Sequence, residues 1–173
     1  KHQSFIQYPV RQYRKMKKYK IEPAIETKDI PLHARYKLNL GKFNEKYGFQ
    51  LSNIEVNEIY RHIQALEDFI SSKDKYALIY TTLQSLDLIY DFDISEDDWN
   101  FISLQQETSF KYLPQQGYSL GYKWSDMNYL VTKEGAAIIL DRVKEIDKPY
   151  CDIILELIGN HKLTAFVFKD DGL

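Results

Sequence analysis

The longest regular run of apolar positions lies in the middle of the chain. Ile59, Ile63, Leu66 and Ile70 recur at three- and four-residue spacing, which draws one apolar face of a helix. Ser52 and Glu55 precede them as a capping box, the serine accepting from the third helical N–H and the glutamate reaching back. The pattern predicts a helix ending near Ser71-Ser72. Tyr76 to Thr82 is apolar and partly β-branched, which predicts a buried strand. Phe101 to Leu104 and Met127 to Val131 predict two more. Thr132 can cap a helix that carries Ala136, Ile139, Leu140 and Val143. Pro149 interrupts the pattern, Tyr150 to Ile158 predicts a last helix closed by Gly159, and Leu163 to Phe168 predicts a terminal strand.

The first fifty residues carry weaker signals. His2 to Tyr8 reads as a short strand stopped by Pro9, and Val10 to Lys20 as a basic helix. Ile21 to Ile25 predicts an edge strand, because Pro23 cannot donate to a ladder. Residues 27 to 50 read as irregular, punctuated by Pro31, Gly41 and Gly48. Strands and helices alternate through most of the chain, which predicts an α/β fold with a largely parallel sheet.

Composition narrows the class. The 173 residues suit one domain with a real core, 44% hydrophobic and 28% charged, with no repeat and no linker-like segment to divide it. The 14 tyrosines suit either the edge of a core or a glycan-facing cleft, since the ring is apolar and its tip polar. A net charge of −2 disfavours a nucleic-acid binder. The single cysteine, Cys151, cannot form an intrachain disulfide, which fits a reducing, cytoplasmic setting. No apolar run approaches the roughly 18 residues of a membrane span, and no signal-peptide pattern is present, so at most a peripheral membrane association is expected.

Several segments, in order, carry a resemblance. Leu51-Ser52-Asn53-Ile54-Glu55-Val56, Arg61-His62-Ile63-Gln64-Ala65-Leu66 and Tyr76-Ala77-Leu78-Ile79-Tyr80 form the central group. Trp99-Asn100-Phe101-Ile102-Ser103-Leu104 and Tyr129-Leu130-Val131-Thr132-Lys133-Glu134-Gly135-Ala136 follow. Ile146-Asp147-Lys148-Pro149 and Asp152 close the series, and Phe5-Ile6 with Arg11 and Arg14 open it. This series resembles glycosyltransferase family 25, which builds bacterial lipopolysaccharide and lipooligosaccharide, over about residues 5 to 158. The resemblance implies a GT-A-like domain with a mixed, mainly parallel sheet flanked by helices. It implies a nucleotide-sugar donor such as UDP-galactose and a lipopolysaccharide or capsule glycan as acceptor. Donor contacts would fall to Arg11, Arg14, Glu55, His62, Thr81 and Thr82, and acceptor activation to Asp152.

One departure bears on the chemistry. Where the family ends its strand with Glu-Asp-Asp, this chain has Thr81-Thr82-Leu83. Hard divalent cations such as the Mn2+ expected for the family favour carboxylate oxygens, so no metal ligand is assigned. Charge on the leaving group would then fall to Arg11, Arg14 or Arg61. The replacement equally suits a pseudoenzyme that binds a glycan, a nucleotide or a protein without turnover. The run Asp91 to Asp98 starts like a calcium loop, but Glu96 stands where glycine is required and Ile102 where glutamate is required, so it reads as a solvated loop. The basic residues from Arg11 to Lys20 suit a diphosphate, a phosphorylated acceptor or a solvated helix face. His62 flanks the apolar helix face, as a structural hydrogen-bonding histidine or as a nucleotide or acceptor contact. Asp152 opens a helix, as a base for an acceptor hydroxyl or as a partner of the helix dipole.

Overall fold

The computed structural model describes residues 17–21, 36–48, 53–80, 99–103 and 128–167. Its elements, in chain order, are β1 (Lys17–Lys20), β2 (Lys37–Leu38), α1 (Leu40–Tyr47), α2 (Asn53–Ser71), β3 (Tyr76–Tyr80), β4 (Phe101–Ser103), β5 (Tyr129–Thr132), α3 (Lys133–Arg142), β6 (Glu145–Ile146), α4 (Tyr150–Gly159) and β7 (Ala165–Val167). Five strands form one sheet in the order β1-β3-β5-β4-β7. Strand β1 is parallel to β3 and β4 is parallel to β7, while β5 runs antiparallel to both its neighbours. Four of the five strands therefore share one direction. The short ladder β2-β6 stands apart.

The sheet is covered on both faces. Side chains along a strand alternate between faces, yet Ala77, Leu78 and Ile79 of β3 are all buried. This is why their run is continuously apolar rather than alternating. Register puts Ala77, Val131 and Phe101 in one row, and Leu78, Leu130 and Ile102 in the next. The first row joins the main core with Ile63, Leu66 and Phe69 of α2, Ala136 and Ile139 of α3, and Ile153, Ile154 and Leu157 of α4. Helix α3 packs between α2 and α4. Removing about 150–250 Å2 per aromatic ring from water is a large share of the driving force, and Tyr129, Tyr150, Phe43, Phe69 and Phe101 are all fully buried.

The predicted elements from the central helix onward are present, with shifts at their ends. Phe69 completes the buried face of α2, whereas Ile70 is 36% exposed. The α-helical period allows either position after Leu66, and packing selects the first. Helix α4 continues through Gly159 to a cap at Asn160, and the left-handed residue is His161, at φ 57°. Three corrections concern the weaker regions. Lys17–Lys20 is a strand and not the end of a basic helix. Lys18 and Lys20 are exposed and Tyr19 is half-buried, so the pattern is period two. Exposed lysines suit a strand at a sheet edge, where they discourage pairing with another chain. The stretch read as irregular holds β2 and α1. Asn39 Oδ1 caps α1 by accepting from Lys42 N at 3.1 Å, and Gly48 ends it at φ 72°. Strand β6 was not expected, and it is held by the ladder to β2. The expected strand at His2 to Tyr8 and the capping box at Ser52 lie outside the described residues, as does the expected strand at Ile21 to Ile25 beyond Ile21, which follows β1 outside any strand.

Candidate functional site

Strand direction decides where the site can be. Helix α2 and β3 are joined by the four residues 72–75, so α2 runs back along β3. From Ser71 to His62 the helix rises ~13 Å, and β3 covers a similar span from Tyr76 to Tyr80. His62 thus comes level with the carboxyl end of β3. In β5, which runs the other way, Tyr129 pairs with Ile79 on one side and with Ser103, the last residue of β4, on the other. Tyr129 therefore also stands at the carboxyl edge of the parallel strands. Thr81 and Thr82 directly follow β3 there, and the structure of those two residues is not described. The carboxyl edge is where α/β sheets bind ligands.

Three buried side chains meet at this edge. His62 Nδ1 lies 3.0 Å from the Tyr129 hydroxyl, and that hydroxyl lies 2.8 Å from the Tyr150 hydroxyl. The imidazole stacks on Tyr150 with centroids 4.5 Å apart and planes 20° apart, and on Tyr129 at 5.7 Å. Phe101 backs Tyr129 at 4.8 Å. His62 is 2% exposed, and among the described residues its other ring nitrogen, Nε2, has no hydrogen-bond partner. Burial pushes the imidazole down to about 3, so the ring is neutral at physiological pH. Burial also raises both phenols; the neighbouring Tyr150 hydroxyl raises Tyr129 further, and the bond from Tyr129 partly offsets the rise at Tyr150. The cluster is therefore uncharged, with two phenols and one imidazole that exchange hydrogen bonds. Further buried polar side chains occur near the same edge: Asn57 and Glu58 on α2, Ser103 at the end of β4 and Asn128 before β5.

Asp152 lies in the first turn of α4, two residues beyond Tyr150. Its Oδ2 accepts from the Tyr47 hydroxyl at 2.5 Å, which ties α1 to α4. A carboxylate at this end of a helix also meets the positive end of the macrodipole. The segment before it is braced by Arg142. That guanidinium donates from Nη2 to Asp147 at 2.7 Å, from Nη1 to the Glu145 carbonyl at 2.9 Å and from Nε to Glu156. Lys148 Nζ donates to Glu156 at 2.8 Å. These bonds fix the turn 143–149, and with it the entry of Tyr150 into the core. A groove of about 730 Å3 runs along the outer face of α3, past Ala137, Ile138, Asp141, Lys144 and Leu157. Among the described residues, none of the predicted site residues lines it.

Of the predicted site residues, His62 stacks on Tyr150, and Asp152 lies two residues beyond Tyr150 in the first turn of α4, bonded to Tyr47. Arg11, Arg14, Thr81 and Thr82 lie outside the described residues. Glu55 lies in α2, but its side chain is not described. Tyr129 and Tyr150 were not singled out from the sequence as site residues. Their signal was indirect: Tyr129 opens a segment that carries the family resemblance, and Tyr150 lies between Pro149 and Asp152 of another. Among the described residues, no group of three or more His, Cys, Asp or Glu side chains could hold a metal ion. No helix among the described residues is long and apolar enough to cross a membrane. No protein family, curated protein or solved structure matches the chain.

Proposed function

We propose that this chain is a glycosyltransferase-like domain of bacterial surface-glycan assembly, with a GT-A-like fold and a nucleotide-sugar site at the carboxyl edge of its parallel strands. One observation carries the reading. His62 and Tyr129 come from separate segments of the family resemblance, and with Tyr150, which lies between Pro149 and Asp152 of a third, they converge on one hydrogen-bonded cluster at that edge. The mixed sheet, with four of its five strands in one direction, supports it. In the proposed reaction the acceptor hydroxyl attacks the anomeric carbon of a hexose donor such as UDP-galactose. The bond from that carbon to the phosphate oxygen breaks, UDP leaves, and the acceptor proton passes to Asp152. Arg11, Arg14 and Arg61 offset the charge on the departing diphosphate, since charge-assisted donors can do this without a metal.

A second reading has its own support. Thr81-Thr82-Leu83 supplies no carboxylate where the family has three, which favours a domain that binds a nucleotide, a glycan or a protein without turnover. Calorimetric titration with UDP and UDP-galactose, with and without manganese, separates the two when paired with a transfer or hydrolysis assay. Metal-independent binding with turnover, weakened by Arg11→Ala, supports the transferase. Binding without turnover supports the second reading. Absence of binding in either condition refutes a nucleotide site, and tight manganese binding by the unaltered protein refutes the argument from the missing carboxylates.

A further inference from the structure

The hydrogen bonds of the buried cluster decide which nitrogen of His62 carries its proton. If Nδ1 carries it, Nδ1 donates to the Tyr129 oxygen and Tyr129 donates to Tyr150. The Tyr150 O–H then has no acceptor, and Nε2 is a lone pair with no donor. Two buried groups go unmet. If Nε2 carries it, Tyr150 donates to Tyr129 and Tyr129 donates to Nδ1. Each hydroxyl is then used, and only the Nε2–H lacks a partner. Buried polar groups in folded proteins are overwhelmingly paired, so the arrangement with one orphan prevails over that with two. Stacking on Tyr150 and Tyr129 opposes a flip of the imidazole, which would put carbons in place of its nitrogens.

We propose that Tyr129 is a positioning residue that holds His62, stacked against Tyr150, as the neutral Nε2–H tautomer, so that this N–H donates to an oxygen of the bound nucleotide sugar. The inference rests on the nucleotide-site reading above. A neutral N–H suits a hydroxyl or phosphoryl oxygen, and it does not suit a metal, which would need the bare nitrogen. The orphaned donor lies level with the carboxyl end of β3, where that reading places the donor. Its burial makes the unmet bond costly in the free protein, so an oxygen arriving there meets a donor with no protein partner among the described residues. The ring also remains neutral as pH falls, because burial opposes its charging.

Nitrogen-15 NMR of the full chain labelled at histidine tests this, with UDP as the probe. The expected spectrum has one His62 tautomer, protonated at Nε2 and unchanged from pH 8 to pH 5. Tyr129→Phe leaves Nδ1 without a partner and gives a mixture of tautomers in a folded protein; Tyr150→Phe keeps the Nε2–H form. Added UDP shifts the Nε2–H resonance. His62→Gln, which keeps a donor near the Nε2 position, retains UDP affinity within about threefold, whereas His62→Asn, which places its amide near Nδ1, loses about tenfold, ~1.4 kcal/mol. A proton on Nδ1, or a single Nε2–H tautomer in Tyr129→Phe, overturns the lock. UDP binding that leaves the Nε2–H resonance unmoved overturns this inference alone. No UDP binding at all overturns the nucleotide site itself, and the ligand assigned to Nε2–H with it.

Discussion

Gly135 sits in the first turn of α3, against the backbone of the residue that precedes β4. A Cβ built there would lie 2.2 Å from the Asn100 carbonyl oxygen, 3.1 Å from its carbonyl carbon and 3.0 Å from Val131 Cγ2. The first of these is more than ~1 Å inside an ordinary van der Waals contact. Neither side can recede. The Asn100 oxygen accepts from Thr132 N at 3.1 Å, Asn100 N donates to the Thr164 carbonyl at 3.0 Å, and Asn100 Oδ1 accepts from Thr164 N at 2.8 Å. On the other side, Ala136 and Ile139 fix α3 in the core, and Thr132 Oγ1 holds the Gly135 N–H at 3.1 Å. Overpacking of this kind costs ~1–3 kcal/mol, and a clash with pinned backbone belongs at the upper end. Alanine's better helix propensity offsets at most ~1 kcal/mol. Gly135→Ala should therefore destabilise the fold by about 2 kcal/mol and lower Tm by about 4–8 °C for a chain of this length. Urea and thermal unfolding followed by circular dichroism measure both. An unchanged m-value with a lower midpoint is expected. A loss below ~0.5 kcal/mol would refute the reasoning, because it would show that α3 and the Asn100 carbonyl can part freely.

The remaining predictions use the same unfolding assay. Lys133 Nζ donates to the carbonyls of Ile70, at 3.0 Å, and Ser72, and it lies 5.5 Å from the centre of the Phe69 ring, so it caps the end of α2; Lys133→Met should cost about 1 kcal/mol, and no loss would show that water replaces it. His62 is held low in the fold and is ordinary in the unfolded chain, so the unfolded state takes up its proton first. Stability should be full above pH 6.5 and fall by up to ~1.4 kcal/mol per unit from there toward pH 3, a slope that His62→Gln should remove. Burial works to raise Glu156, but hydrogen bonds from Arg142 and Lys148 outweigh it and bring the carboxyl down to about 2. Its contribution, of order 2 kcal/mol after allowance for partial exposure, is present above pH 4.5 and lost as pH falls toward 2, and Glu156→Gln should flatten that lower window only. Tyr47→Phe removes the donor to Asp152 and should cost about 1–2 kcal/mol, with a neutral result placing Asp152's role outside the fold.

Much of the fold was legible from residue 53 onward, because local chemistry and burial agree there. The helical spacing of Ile59, Ile63 and Leu66, the Thr132 cap and the apolar run at Tyr76 need no knowledge of the rest of the chain. Helix α1 carried its own signals, Asn39 ahead and Gly48 behind, but only eight residues stood between them and polar positions diluted the pattern. Lys17–Lys20 was illegible, since four residues with three lysines satisfy several local readings, and only pairing with Ala77–Tyr80 makes them a strand. Cys151 shows the same limit: its number alone excluded an intrachain disulfide, while its burial was a matter of packing.

The sequence by itself determined the α/β class, the main helices and strands, and the absence of carboxylates at positions 81–83, for these depend on residue type and on spacing within one segment. It also marked His62, but as a residue on the flank of a helix. Only the tertiary structure decided that β5 turns against its neighbours, that Tyr129 thereby reaches the carboxyl edge, and that Arg142 steadies the turn leading Tyr150 to the same point. The physical reason is distance along the chain: His62 and Tyr129 are 67 residues apart, and Tyr129 and Tyr150 are 21 apart. Local propensity carries no information across such separations. A hydrogen-bonded cluster of neutral side chains forms only once the sheet and three helices have excluded water from it.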